Sequence, residues 1–237
     1  MKKITIFCLI TITCNLNSNI LFAQKNDPIL EAIQAAKRVD EKIFLNGTPK
    51  EKYNLAMQKA SINEREKKYS IAMKLYNLAI EQNVNLCRPF YNRGSLKEIQ
   101  GDYRGAIDDY LTAEAQIHKP QYQSNRLEVL YSMARCYEKI DFFKEAITCH
   151  MKILKIRELS LDYNSIGMIY YKMKEYKNAL QYFDDAIRLD SDDHRFFYNK
   201  GIVLIKIGET VNGCKALSRS GELGSSVAYE AIREHCQ

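Results

Sequence analysis

Four histidines and seven cysteines are the residues of this chain best suited to holding a metal or attacking a substrate. Zinc held on one helix needs ligands a turn apart, as in HxxxH or HExxH, so that two imidazoles share a face. His118, His150, His194 and His235 are scattered and form no such pair. No CxxC occurs, nor a Gly-x-Ser-x-Gly elbow, a phosphate-cradling P-loop or a GxGxxG turn. The acidic pairs Asp108-Asp109, Asp184-Asp185 and Asp192-Asp193 are adjacent in sequence. Neighbours on a helix diverge by about 100°, so these carboxylates do not converge as a general acid and base. They read as solvated faces and helix ends. The residues therefore point to binding, with no cofactor and no metal, and to a protein that is not an enzyme.

The N-terminus is organised differently from the rest. Lys2 and Lys3 precede an apolar run from Ile4 to Thr13, and polar residues lead to Leu21-Phe22-Ala23-Gln24. That order matches a secretory signal peptide, residues 1–23, cleaved after about Ala23. The run is shorter than the ~20 apolar residues that span a bilayer. Its ending resembles signal peptides of Bacteroidetes-type bacteria, so the expected location is periplasm, cell surface or medium. A lipid on Cys14 or Cys8 is the rival reading, and only then would the protein touch a membrane. Removing Lys2 and Lys3 lowers the formal charge from +6 to +4. Without a clustered basic face, nucleic acid is not an expected partner. Five cysteines remain after the leader, an odd number in an oxidising compartment.

The elements that must position any binding surface follow a rhythm. Ala72, Ala106, Ala146, Ala179 and Gly213 are spaced 34, 40, 33 and 34 residues apart. A small residue stands twelve places before each: Ala60, Gly94, Ala134, Gly167 and Gly201. Four places after stand Tyr76, Tyr110, His150, Phe183 and Leu217, of which His150 is the odd one. A period near 34 means stacked helix pairs. The small residues mark the close crossing of two antiparallel helices. Residues 53–224 hold five such pairs, at about 53–86, 87–120, 127–160, 160–193 and 194–224. Residues 24–52 form a leading helix (28–45) and linker, and 225–237 a terminal capping helix with Ser225 as its cap. The extra residues in the 40-residue step are expected in a loop near 119–125.

This pattern resembles the tetratricopeptide repeat. The segments FYNRGSLKEIQGDYRGAIDDYLTA, LYSMARCYEKIDFFKEAITCHMKI and YNSIGMIYYKMKEYKNALQYFDDAIRLD carry the resemblance. The last is the strongest, with Tyr163, Gly167, Tyr170, Tyr176, Ala179, Phe183 and Ala186 at the family's positions. The resemblance implies an all-α, right-handed α-solenoid of about five helix-turn-helix pairs with N- and C-terminal caps. It also implies binding of a protein or peptide along the concave face, which the first helix of each pair lines. Carried over, that face holds Arg88, Tyr91, Asn92, Glu98, Tyr131, Arg135, Glu138, Lys139, Asn164, Met168, Tyr171, Lys172, Arg195, Tyr198, Asn199 and Lys206. Asparagine can both donate to and accept from a peptide backbone, and arginine can grip a carboxylate at two points. The Lys/Asn/Lys/Arg clamp that relatives use on chaperone tails is not matched. Met57, Ser61, Asn92, Glu128 and Ser132 stand there, and only Asn92 fits.

The chain end looks similar to those of exported bacterial tetratricopeptide proteins, which implies a Cys214–Cys236 disulfide; two buried thiols are the alternative. The expected function is a non-catalytic protein–protein interaction scaffold in the bacterial envelope. A lipid-anchored scaffold of outer-membrane assembly and an accessory subunit of an envelope hydrolase are the alternatives, and self-association is possible.

Overall fold

The computed structural model describes residues 40–117 and 123–236. The expected signal peptide, most of the leading helix, His118 and residues 118–122 lie outside the described residues. The described chain is helical and contains no strand. It divides into two compact units after Val84.

In the first unit, residues 40–46 are helical and lead into α1 (Pro49–Arg65) and α2 (Tyr69–Glu81). A capping box starts α1. The Glu51 amide donates to Thr48 Oγ1 at 3.3 Å, and the Thr48 amide donates to Glu51 Oε2 at 2.8 Å. Pro49 fits the first turn because its missing N–H has no intrahelical partner there. The helix thus begins four residues before the expected repeat boundary at 53. Lys59 pairs with Asp40. Tyr53, Ala56 and Ala79 form the core, and Tyr76, fully buried, donates its hydroxyl to Glu64 at 2.6 Å.

The second unit holds four helix pairs and a terminal helix. They are α3 (Cys87–Ile99) with α4 (Tyr103–Ala115), α5 (Gln123–Lys139) with α6 (Phe143–Ile156), α7 (Ser160–Lys172) with α8 (Tyr176–Leu189), α9 (His194–Lys206) with α10 (Thr210–Glu222), and α11 (Ser226–His235). The spacing of small and bulky residues has a direct steric meaning. A Cβ on Gly94 would sit 2.8 Å from the Tyr110 ring, and one on Gly167 2.6 Å from the Phe183 ring. One on Gly201 would sit 2.9 Å from Leu217. In these three pairs the bulky residue of the second helix therefore lies on the missing side chain of the first. Burying such a side chain is worth about 1.5–3 kcal/mol.

The turns share one backbone device. Lys67, Gly101, Asp141, Lys174 and Gly208, each five residues before the small residue of the second helix, all have φ between 58° and 88°. This left-handed conformation reverses the chain between the antiparallel helices. Glycine adopts it without steric cost, whereas lysine and aspartate adopt it under strain.

Part of the extra length of the 40-residue step lies in a helix. Residues 123–125, expected in the loop, belong to α5, which is 17 residues long where α3, α7 and α9 are 13. The expected start of this repeat at 127 is therefore too late. The extended first turn is tied down by Arg126, which donates to Glu114 at 3.0 Å. Glu114 also accepts from Lys152 at 3.1 Å.

At the chain end, Cys214 and Cys236 are bonded, which fastens the end of α11 to α10. Closing a loop across a separation of 22 residues contributes about 3 kcal/mol in the chain-entropy account. Ser225 does occupy the N-cap position of α11, but its side chain makes no capping bond. Among the described residues its buried Oγ has no hydrogen-bond partner, which corrects the expected capping role.

Candidate functional site

The first helices of the second unit, α3, α5, α7 and α9, carry the expected binding residues. Each successive pair of these helices is joined by a polar contact one repeat apart. Arg135 of α5 donates to Glu98 of α3, with its Nη2 3.0 Å from Oε2. Lys172 of α7 donates to Glu138 of α5 at 2.6 Å. Asn199 Nδ2 of α9 donates to Asn164 Oδ1 of α7 at 2.8 Å. A change of partner at 37, 34 and 35 residues' separation follows the repeat itself. Opposite charges one period apart were the sequence signal for the first two contacts.

These bonds alter what the predicted residues have to offer. Arg135 and Lys172 are already engaged with carboxylates, so neither is a free cation for a ligand's acid group. Arg195 is turned onto Asp193, the N-cap residue of its own helix, with Nε 2.9 Å from Oδ1. The same guanidinium holds the Asp193 carboxyl below its ordinary range, and the carboxylate raises Arg195. Glu98 also accepts from the Tyr110 hydroxyl at 2.9 Å. Burial pushes Glu98 upward, but the hydrogen bonds from Arg135 and Tyr110 prevail and leave its carboxyl below the usual value. Tyr110 is raised, first by burial and then by Glu98.

Tyr131 is drawn inward. Its hydroxyl donates to Asp162 Oδ2 at 2.8 Å, and burial followed by this bond raises it. Asp162 is 1% exposed, and its other oxygen lies 3.0 Å from His150 Nδ1. The Tyr131 and His150 rings meet edge to face at 6.2 Å. His150 thus takes the bulky position of its pair by bonding to a buried carboxylate of the next helix. Periodicity marked His150 as the exception but gave no sign of Asp162 as its partner, because the two meet only when α6 packs on α7.

The remaining candidates are distributed as follows. Arg88 and Lys139 are exposed and make no ion pair among the described residues. Tyr91 is half-buried against Tyr110, with ring centroids 5.7 Å apart, and Asn92 is half-buried beside it in sequence. Met168 packs on the Ala179, Phe183 and Val203 cluster, as does Tyr171, whose ring lies 5.9 Å from Tyr176. Tyr198 is half-buried, and Lys206 is exposed at the last residue of α9.

The three described thiols outside the disulfide are held in the protonated form. Cys136 and Cys149 are buried, and burial pushes them up to about 12 and about 11. Cys87 is half-buried and also raised by burial. Thiolate, the nucleophilic form, is therefore disfavoured at all three. Among the described residues no cluster of three or more His, Cys, Asp or Glu is placed to hold a metal. No helix among them is long and apolar enough to cross a membrane.

Comparison with known proteins places this geometry. Residues 162–193, spanning α7 and α8, match the tetratricopeptide repeat. A TPR repeat-containing protein of Methanocaldococcus jannaschii is 24% identical over 233 residues, covering 90% of this chain. The chain spans 40% of that relative's length. Among solved structures, MamA from Desulfovibrio magneticus is similar with a TM-score of 0.61 and 16% identity, over 73% of this chain and 94% of MamA. YrrB, described as a TPR protein with an unusual peptide-binding site, is similar with a TM-score of 0.63 and 16% identity, over 81% of this chain and 96% of YrrB. These likenesses share the fold.

Proposed function

We propose that this chain, which matches the tetratricopeptide repeat over residues 162–193, works as a non-catalytic scaffold that holds a peptide or protein segment along its first helices. The observation that carries this reading is the run of inter-repeat bonds Glu98–Arg135, Glu138–Lys172 and Asn164–Asn199. They fix the spacing of successive first helices and so present a preformed strip of tyrosine, asparagine and methionine. Preformed surfaces bind with less ordering cost, and extended peptides are a recurring occupant of such grooves. The peptide-binding description of YrrB supports the same reading.

The proposed setting is outside the cytoplasm. The signal-like residues 1–23 and the Cys214–Cys236 bond support it, since disulfides persist in oxidising compartments. Within the envelope, the scaffold role is favoured over a lipid anchor because neither Cys8 nor Cys14 follows a small residue.

A pull-down from an envelope extract with the exported chain, beside a Lys139→Glu, Tyr198→Ala variant, tests the binding face. Both side chains lie outside the inter-repeat bonds, so the variant is expected to fold. A partner held by the wild type and lost by the folded variant supports the groove. A partner held equally by both moves binding elsewhere. N-terminal sequencing of the exported protein is expected to begin at Gln24; an intact Met1 overturns export.

A further inference from the structure

The stretch of the strip formed by α7 and α9 is nearly free of uncompensated charge. These two helices carry Asp162, Lys172, Arg195, Lys200 and Lys206 as their charged residues, apart from His194. Asp162 is closed in by Tyr131 and His150. Lys172 is held by Glu138, Arg195 by Asp193, and Lys200 by Asp184. Only Lys206 has no ion pair among the described residues, and it stands at the solvated end of α9. What lies between is Asn164, Met168 and Tyr171 on one helix and Tyr198, Ile202 and Ile205 on the other, all half-buried.

Helical geometry puts these residues on one strip. Asn164, Met168 and Tyr171 recur at four and three, as do Tyr198, Ile202 and Ile205. The Asn199–Asn164 bond and the packing of Met168 against the cluster containing Val203 show that the two faces adjoin. An acidic segment entering there would meet cations whose fields are already cancelled by bonded carboxylates, while its own carboxylates would lose water. Burying a charge without a partner is costly, whereas aliphatic and aromatic side chains gain from the same contact.

Resting on the groove reading above, we propose that the α7–α9 stretch selects an extended, uncharged peptide segment bearing aliphatic or aromatic side chains, and that the Glu138–Lys172 bond at its edge acts in part to exclude acidic ligands. Glu138 carries this role, because its loss would release Lys172 at the edge of the strip.

The test is selection from a displayed library of random dodecapeptides on the whole exported protein, on Glu138→Gln, and on Tyr198→Ala, Ile202→Ser. From the wild type, peptides poor in Asp and Glu are expected, with affinity changing less than about twofold between about 0.05 and 0.5 M salt. Glu138→Gln should shift selection toward acidic peptides and make their binding fall at least about tenfold over that range. Acidic, salt-sensitive peptides selected equally by wild type and Glu138→Gln would overturn the charge-exclusion proposal while leaving the groove intact. Peptides that bind the Tyr198→Ala, Ile202→Ser protein as well as the wild type would overturn the groove itself, as would the absence of any enriched peptide. Circular dichroism of each variant keeps unfolding separate from loss of the site.

Discussion

The α5–α6 and α7–α8 pairs solve one packing problem in two ways. In α7–α8 the bulky position is Phe183, buried against the bare backbone of Gly167 and surrounded by apolar groups. In α5–α6 the same position is His150, tied through Asp162 to Tyr131. The first arrangement needs only volume and shape. The second needs three polar groups placed together, one of them from the following repeat. A repeat can therefore keep its period while exchanging an apolar contact for a buried hydrogen-bonded set that also links it to its neighbour.

The comparison breaks most severely on the apolar side. Gly167→Leu would drive a branched side chain into the Phe183 ring, where even a Cβ lies at 2.6 Å. A loss of about 3 kcal/mol is expected in urea denaturation, since neither helix can move without disturbing its neighbours. Wild-type stability for this variant would overturn the steric account.

On the polar side, Asp162→Ala removes the acceptor shared by the buried His150 ring and the half-buried Tyr131. The expected cost is about 2 kcal/mol by the same measurement. Phe183→His offers the converse test. It places an imidazole in an apolar slot with no carboxylate, and should cost as much or more. If Phe183→His were harmless, the pairing with Asp162 would not be what makes histidine acceptable at position 150.

Acid sharpens the contrast between the charged contact at α3–α5 and the neutral one at α7–α9. Glu98 has its carboxyl lowered in the folded protein. A lowered carboxylate contributes stability above its unfolded value, and that contribution is lost as pH falls through the folded one. The gap in stability between wild type and Glu98→Gln should therefore narrow as pH falls from 7 through the carboxylate range to about 3. Asn199→Ala, which removes the neutral contact, should show a gap that changes less over that range. Equal narrowing for both variants would sink the assignment to Glu98.

The smallest effect concerns the turns. Gly101 and Gly208 adopt the left-handed conformation freely, whereas Lys174 holds φ 61° with a side chain attached. Lys174→Gly should raise stability by at most about 1 kcal/mol in thermal unfolding, because relief of strain is partly offset by the greater freedom of glycine when unfolded. Gly101→Ala should lower it by a similar amount. A loss on Lys174→Gly would mean that the lysine side chain contributes more than its backbone costs.

The sequence alone determined the helix pairs, because a small residue, a bulky residue and a reversing turn must recur at fixed offsets for antiparallel helices to cross closely. Gly94 with Tyr110 and Gly167 with Phe183 express that rule within a single repeat. The resemblance to the tetratricopeptide repeat implied the candidate strip, to which Asn164, Met168 and Tyr171 belong. Only the tertiary structure decided which of those residues remain available. Arg135, Lys172 and Tyr131 resemble ligand contacts when read along one helix, yet each is taken up by a partner on the neighbouring first helix. Asp162 and His150 become a buried pair only through the packing of α6 on α7. Local pattern fixes which face a side chain occupies; the distance and angle between successive repeats, set by packing, fix which groups come within hydrogen-bonding reach across it.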